Sequence, residues 1–425
     1  MQHTGCTIRQ DSIRPQRMGN EMDLYRRRLT GAVCILIILI TMWIPPLAYA
    51  AEETQTAPQT LTAAEVRQME QADAAVTALT DSAAYAQMQP QQRLEAAQQQ
   101  LDALTRQGLV QEGSVYSDPE NGIISFSYSC GALGGILLND PDEENTAEIR
   151  LTPEDPPAAA GQIGRAVIYY AFDNTVNSTR YPNYAYMQSY WTSSGLNTTL
   201  DTRVTVSDLK HMNDYDLCML SAHGAYYTYQ YGWLWKRQAT APIILLTEES
   251  DFWTDLRYGA DLLNHRIIKI NGAYAVTGDF FKNAYRGGKM RDTIVISETC
   301  EFYGRSGHLD QSISNALLSG GASAVVGYVN NVYSVYSRSM MWQMVNRLMR
   351  GDTVDEAVQY GLDLYGENDI VWYNEQGGRR PHAVASYPII SGDHTARLTQ
   401  PVTECAQTEP ESTAEEPADS LQQAA

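Results

Sequence analysis

Short apolar runs, each closed by polar residues and separated by helix-forming stretches, constrain this chain more than any other feature. Two of them carry the argument. Asp292-Thr-Ile-Val-Ile-Ser297 is apolar and β-branched, the form of a strand buried on both faces. Glu298-Thr299-Cys300-Glu301 follows it, so Cys300 comes just past the C-terminal end of the predicted strand. Tyr215-Asp-Leu-Cys-Met-Leu-Ser221 has the same grammar and leads into Ala222-His223-Gly224. Such runs alternating with helices imply a parallel sheet with helices on both faces. In open α/β sheets, ligands bind outside the C-terminal strand ends. If the two strands are neighbours, His223 and Cys300 emerge on one edge.

A lone cysteine after an apolar strand is most often a small buried hydrophobe, and a lone histidine there a core or capping residue. The pair reads differently. A thiol needs a nearby base, or a depressed pKa, to attack a carbonyl at neutral pH. A histidine followed by glycine, and an acid two residues before the cysteine, therefore point to a Cys/His dyad. His211, His265, His308, His382 and His394 lack an apolar strand followed by glycine; His308, close to Cys300 in sequence, is the rival base.

Ser221-Ala222-His223-Gly224 and Glu298-Thr299-Cys300-Glu301 resemble the two motifs of the caspase-like cysteine peptidases, the group that includes clostripain, gingipain and legumain. Thr299 stands where that family more often has alanine, and the glycine usual soon after the cysteine comes only at Gly304. The resemblance spans roughly residues 163 to 400. It implies an α/β three-layer sandwich with a mostly parallel central sheet. It implies Cys300 as nucleophile, His223 as the acid and base, and the N–H groups of Gly224 and Cys300 as oxyanion donors. It places Glu298 in the S1 pocket, where a carboxylate attracts Arg or Lys at P1 and can also take part in recognising asparagine. Otherwise Glu298 turns outward to Arg291 or Arg305. Glu249 and Asp251 are candidates for a second acid. Substrates are then proteins or peptides, and no metal or other cofactor is called for. A catalytically inactive caspase-like binding or scaffold protein at the cell surface is the alternative, as is a surface structural protein assembling through its N-terminal helices.

The net charge of −20 repels phosphate backbones and sets nucleic acid aside as a partner. Residues 1–50 read as a signal peptide: Arg26-Arg27-Arg28, an apolar run from Gly31 to Leu47, then Ala48-Tyr49-Ala50. Export to the cell surface or beyond follows; if the segment is retained, it is a membrane anchor and the chain's one membrane contact. The cysteines are far apart and include no CxxC pair, so neither metal spacing nor a disulfide framework is present. Cys218 lies inside the histidine strand and reads as core.

Residues 51–138 form an N-terminal module. Two or three helices lie between Leu61 and Gln107, broken at Asp81-Ser82 and Pro90, with an apolar stripe of Leu94, Ala97, Leu101 and Leu104. A β-meander follows, from Ser114 to Leu138. The module is either a pro-segment covering the active site or a structural domain. Residues 139–162 are an acidic Pro/Ala linker, 163–400 the main domain, and 401–425 a disordered acidic tail. In the main domain, strands are expected at Gly164 to Ala171, Thr202 to Val206 and Ala324 to Tyr328, with a helix at Tyr181 to Ser194. Ser207-Asp208 is expected to cap a short helix. A hairpin is expected around Trp233 to Leu246, and Ile389 to Leu398 as the closing strand. The glycines at Gly320-Gly321 open a strand, not a helix, which rules out a dinucleotide fingerprint.

Overall fold

The computed structural model describes residues 59–119, 122–138, 163–172, 181–231, 237–375 and 384–398; the segments expected as signal peptide, linker and tail lie outside these. Three helices come first: α1 (Ala63–Thr80), α2 (Ala83–Ala86) and α3 (Pro90–Arg106). Thr62 opens α1 with a reciprocal capping box to Glu65, Ser82 caps α2, and Pro90 sits in the first turn of α3, where its missing N–H costs nothing. Ala97, Leu101 and Leu104 are buried and Leu94 packs beside them, so the stripe faces the protein's own core. The meander β1 (Tyr116–Asp118), β2 (Ile123–Ser127) and β3 (Leu133–Leu137) follows, antiparallel throughout.

The remaining elements alternate as the apolar runs require. They are β4 (Gly164–Ala171), α4 (Tyr181–Ser193), β5 (Leu196–Asp201), β6 (Leu217–Ala222), β7 (Gly224–Tyr231), β8 (Arg237–Glu249), α5 (Phe252–Arg257), α6 (Gly259–Leu263), β9 (Ile267–Ile270), β10 (Ala273–Thr277), α7 (Gly278–Ala284) and β11 (Ile294–Ser297). Then come β12 (Gly304–Arg305), β13 (His308–Leu309), α8 (Ser312–Ser319), β14 (Ala324–Tyr328), α9 (Ser334–Met349), α10 (Val354–Tyr365), α11 (Asp369–Glu375) and β15 (Pro388–Gly392).

One sheet runs β15-β14-β11-β6-β4-β5, parallel except where β15 meets β14. Its side chains alternate between two cores. Val167, Cys218, Leu220, Val295 and Val325 enter one; Ile168, Met219, Ile294, Ile296 and Val326 enter the other. The second core is closed by α4, α9 and α10, through residues such as Tyr184, Trp191, Trp342 and Val358. The first is closed by α7 and α8, by the N-terminal helices and by a second sheet. The architecture is α/β, with a mostly parallel sheet between two packed layers.

The second sheet runs β1-β2-β3-β9-β10-β8-β7, antiparallel except for β3 with β9. It curls until Tyr227 on β7 donates from its hydroxyl to the Gly134 carbonyl on β3, 2.8 Å away. The crossing is close: a Cβ at Gly135 would stand 2.6 Å from the end of the Ile270 side chain and 3.2 Å from the Tyr227 ring. The meander is thus one sheet with strands far along the chain. A buried cation ties α1 to the same body: Lys269 Nζ lies 2.5 Å from both Asp73 of α1 and Asp255 of α5.

Two local expectations are corrected. The strand expected at Thr202 to Val206 is Leu196–Asp201, one segment earlier. It is an edge strand, and Leu196 and Thr198 alternate inward in place of a solid apolar run. Val204 and Val206 are buried as pegs from an irregular segment. Ser207 makes no cap; Thr205 does, its Oγ1 accepting from Asp208 N–H at 3.2 Å while the Asp208 carboxylate accepts from Thr205 N–H at 2.8 Å. The hairpin forms from β7 and β8, and its two tryptophans lie outside the described residues.

Candidate active site

β6 and β11 are adjacent, parallel and central, with Leu220 opposite Ser297. His223 and Cys300 each lie three residues beyond a member of that pair, so equal steps carry both to one rim. Glu298 N–H continues the ladder, donating to Leu220 O at 3.0 Å. The chain then folds back: Thr299 N–H reaches Ser297 Oγ at 3.3 Å, and the two hydroxyls bond at 2.5 Å. Thr299 is fully buried. The Thr299 hydroxyl therefore gives the buried Ser297 hydroxyl a partner that alanine would not.

The two loops touch through backbone. A Cβ on Gly224 would stand 2.2 Å from the Cys300 carbonyl oxygen and 3.2 Å from Thr299 Cβ. Only glycine lets the strand after the histidine lie against the cysteine loop. Gly224→Ala must displace one of them, and overpacking of this kind costs about 1–3 kcal/mol. A fall in thermal midpoint of a few degrees is the expected result, and an unchanged midpoint would show that the contact is not tight.

His223 is half-buried, with its ring edge-on to Phe172 at 5.1 Å between centroids. Cys300 is half-buried too, packs against the same core as Phe172, and has its sulfur 3.7 Å from the Val332 carbonyl. Leu245 N–H donates to His223 O at 2.9 Å, which makes His223 and Leu245 a hydrogen-bonded pair of the β7–β8 ladder. Bonded and unbonded pairs alternate in antiparallel strands. The Gly224 N–H therefore points away from β8.

Glu298 turns inward, not toward Arg291 or Arg305. It is 3% exposed and accepts a bond from the Tyr184 hydroxyl. Arg338 Nε donates to that same hydroxyl at 3.1 Å, and its guanidinium lies 5.2 Å from the Tyr184 ring centre. Burial, which outweighs Arg338, pushes the Tyr184 phenol well above its usual range, so it stays protonated and donates.

Arg305 goes instead to Glu301, a residue the sequence reading left without a role. Glu301 is 3% exposed and has a φ of 54°. One carboxylate oxygen accepts from Arg305 Nε at 2.5 Å; the other accepts from the backbone N–H of Tyr226, also at 2.5 Å. Burial pushes its carboxyl up and Arg305 opposes the shift. The acid after the cysteine therefore clamps the cysteine loop to the strand after the histidine. Its one sequence signal is Arg305 four positions on.

Other candidates are engaged elsewhere. Asp251 caps α5 through Trp253 and Thr254 N–H, and Glu249 ends β8. His308 is exposed on β13, opposite Arg305. His211 bonds Ser207 O, His265 bonds Gly131 O, and His394 meets Asp355. His382 lies outside the described residues. Cys218 is core, and burial drives its thiol well up. A comparison with protein-family models finds none that matches, and a comparison with curated proteins finds no match.

Proposed function

We propose that this chain is an exported cysteine endopeptidase of caspase-like fold, working through Cys300 and His223. The contact of Gly224 with the Cys300 carbonyl is the observation that supports it most, because it joins the His-Gly and cysteine loops at neighbouring strand ends. In this reading the Cys300 thiolate attacks the scissile carbonyl and forms an acyl-enzyme. His223 protonates the departing amine and then activates water. The N–H groups of Gly224 and Cys300 receive the oxyanion; losing one such donor costs on the order of a hundredfold in rate.

Glu298 beneath the site is the proposed selector of Arg or Lys at P1. Arg338, sharing the Tyr184 hydroxyl, opposes that preference and keeps it modest. Peptides differing only at P1 test this. The expected outcome is Arg and Lys turned over about tenfold faster than Asn, a difference of about 1.4 kcal/mol, and the ratio lost in Glu298→Gln. A preference for Asn or Asp removes the basic-residue reading while leaving the peptidase reading in place.

A further inference from the structure

The peptide unit that joins Cys300 to Glu301 is held from both sides. Its carbonyl lies on the histidine side, against Gly224, where an added Cβ would meet it at 2.2 Å. Its N–H points the other way, as a trans peptide requires, and donates to the Asn330 carbonyl at 2.8 Å. Asn330 lies in the segment after β14, and its own N–H donates back to Gly304 O at 2.9 Å. The side chain reaches the same loop. Oδ1 accepts from Ser306 N–H at 2.8 Å, and Nδ2 donates to Ser306 Oγ and to Ala385 O, each at 2.8 Å. A backbone N–H can only donate and a carbonyl can only accept, so these partners fix which end of the amide is which. Of these five bonds, four end on residues 301–306.

Asn330 is 7% exposed, and Asn330 and Glu301 have φ of 61° and 54°. Left-handed backbone at non-glycine residues persists where the surroundings over-determine it, and such places cluster at active sites. Glycine would take this backbone freely. Asparagine tolerates it and adds three side-chain bonds that glycine cannot make. The same segment carries the carbonyl next to the sulfur, Val332 O, 3.7 Å from Cys300 Sγ. It is anchored beyond that point as well. Tyr333 N–H donates to Asp369 Oδ2 at 3.0 Å, and the buried Asp369 takes Ser386 N–H on its other oxygen at 2.8 Å. Val332 therefore lies between two fixed points, of which Asn330 is one.

We infer that Asn330 is a positioning residue for Cys300: its hydrogen bonds to residues 301–306 set where the sulfur stands against His223 and a bound carbonyl. The inference rests on the peptidase reading above. Asn330 acts through the Cys300–Glu301 peptide unit on one side and the Val332 carbonyl on the other. Placement matters because an error of about 1 Å between reacting groups can cost about a hundredfold in rate. The amide carries no charge, so its effect is on geometry.

Two variants of the full chain test this. Asn330→Gly keeps the backbone conformation and removes the amide. Asn330→Asp keeps the acceptor for Ser306 N–H and loses both donated bonds. Each is measured with a coumarin amide substrate bearing Arg at P1, and by the rates at which Cys300 takes a peptide acyloxymethyl ketone and iodoacetamide. The ketone needs the sulfur aligned with a bound peptide; iodoacetamide needs only a reachable thiolate. Asn330→Gly is expected to lower kcat tenfold or more with KM within twofold, and to slow the ketone by a like factor while iodoacetamide stays within threefold. Asn330→Asp is expected to fall between that variant and the native chain. Should Asn330→Gly not fold, Asn330→Asp carries the same readings. Kinetics within twofold of native in both variants overturn the inference. So does a rate with iodoacetamide that changes as much as the rate with the ketone, since that is what a role in folding alone produces. If the native chain neither hydrolyses the substrate nor takes the ketone, the peptidase reading has failed and this inference falls with it; an active chain indifferent to residue 330 fails the inference alone.

Discussion

His223→Ala is expected to lower peptide hydrolysis by at least a thousandfold, and Cys300→Ala to leave none above background. The asymmetry follows from what each side chain supplies. Without the sulfur there is no acyl-enzyme and no second route, since Cys130 and Cys218, the other cysteines described, lie in the meander and within β6. Without the imidazole, the thiol must ionise unaided and the amine must leave unprotonated. Positioned acid–base groups typically contribute between a hundredfold and ten-thousandfold. A slow thiol remains, because cysteine is nucleophilic even at its free pKa. His308→Ala serves as the companion measurement. That residue is exposed on the hairpin, and its replacement should leave hydrolysis of a coumarin substrate within a fewfold of the unmodified rate. The opposite pattern would make His308 the base and undo the assignment of His223.

Lys269→Met is expected to destabilise the fold by about 3–5 kcal/mol, the usual consequence of removing one partner from a buried ion pair. Lys269 is 1% exposed at its side chain, with Asp73 and Asp255 each 2.5 Å from its ammonium. Tyr274 donates to Asp255 at 2.7 Å, and Tyr128 donates to Asp73. The cation's pKa is raised: burial would depress it, and the two carboxylates overcome that. Methionine has nearly the same volume, so the loss is electrostatic: two carboxylates face each other with no cation between them. Equilibrium unfolding in urea measures the effect, and a difference below about 1 kcal/mol would mean that water reaches the carboxylates through the half-open side at Asp73. Total stability of a domain is only about 5–15 kcal/mol, so the loss is a large share. The same geometry bears on the N-terminal segment. Its α1 supplies a counterion to Lys269, and its β3 hydrogen-bonds β9. A chain beginning after residue 162 is expected not to fold, and any cleavage in the linker should leave residues 59–138 bound.

The features visible in the sequence were those with short-range causes. The strands Gly164–Ala171, Leu217–Ala222, Ile294–Ser297 and Ala324–Tyr328 are solid apolar runs because both faces are buried, and such runs are readable directly. Thr62, Ser82 and Pro90 announce helix starts for the same local reason. The edge strand Leu196–Asp201 escaped because half its residues face outward. The hairpin of β9 and β10 was legible in Asn271-Gly272, both with positive φ, whereas the pairing of β3 with β9 joins residues distant in the chain. At the site, the His-Gly and cysteine motifs were legible, and their adjacency follows from register. The Tyr184–Glu298 contact and the Glu301 clamp were not, since residues 114 and 75 positions apart meet there only after the sheet is assembled. The second sheet was hidden for a further reason: it is made of two chain segments that composition assigned to separate modules.

The most direct test is covalent. The chain is treated at neutral pH with a peptide acyloxymethyl ketone bearing Arg at P1, and the adduct is located by mass spectrometry. The account predicts a single adduct on the Cys300 sulfur, formed far more slowly in His223→Ala and absent in Cys300→Ala. Modification spread over Cys130 and Cys300 alike, or a rate on Cys300 indifferent to His223, would contradict it.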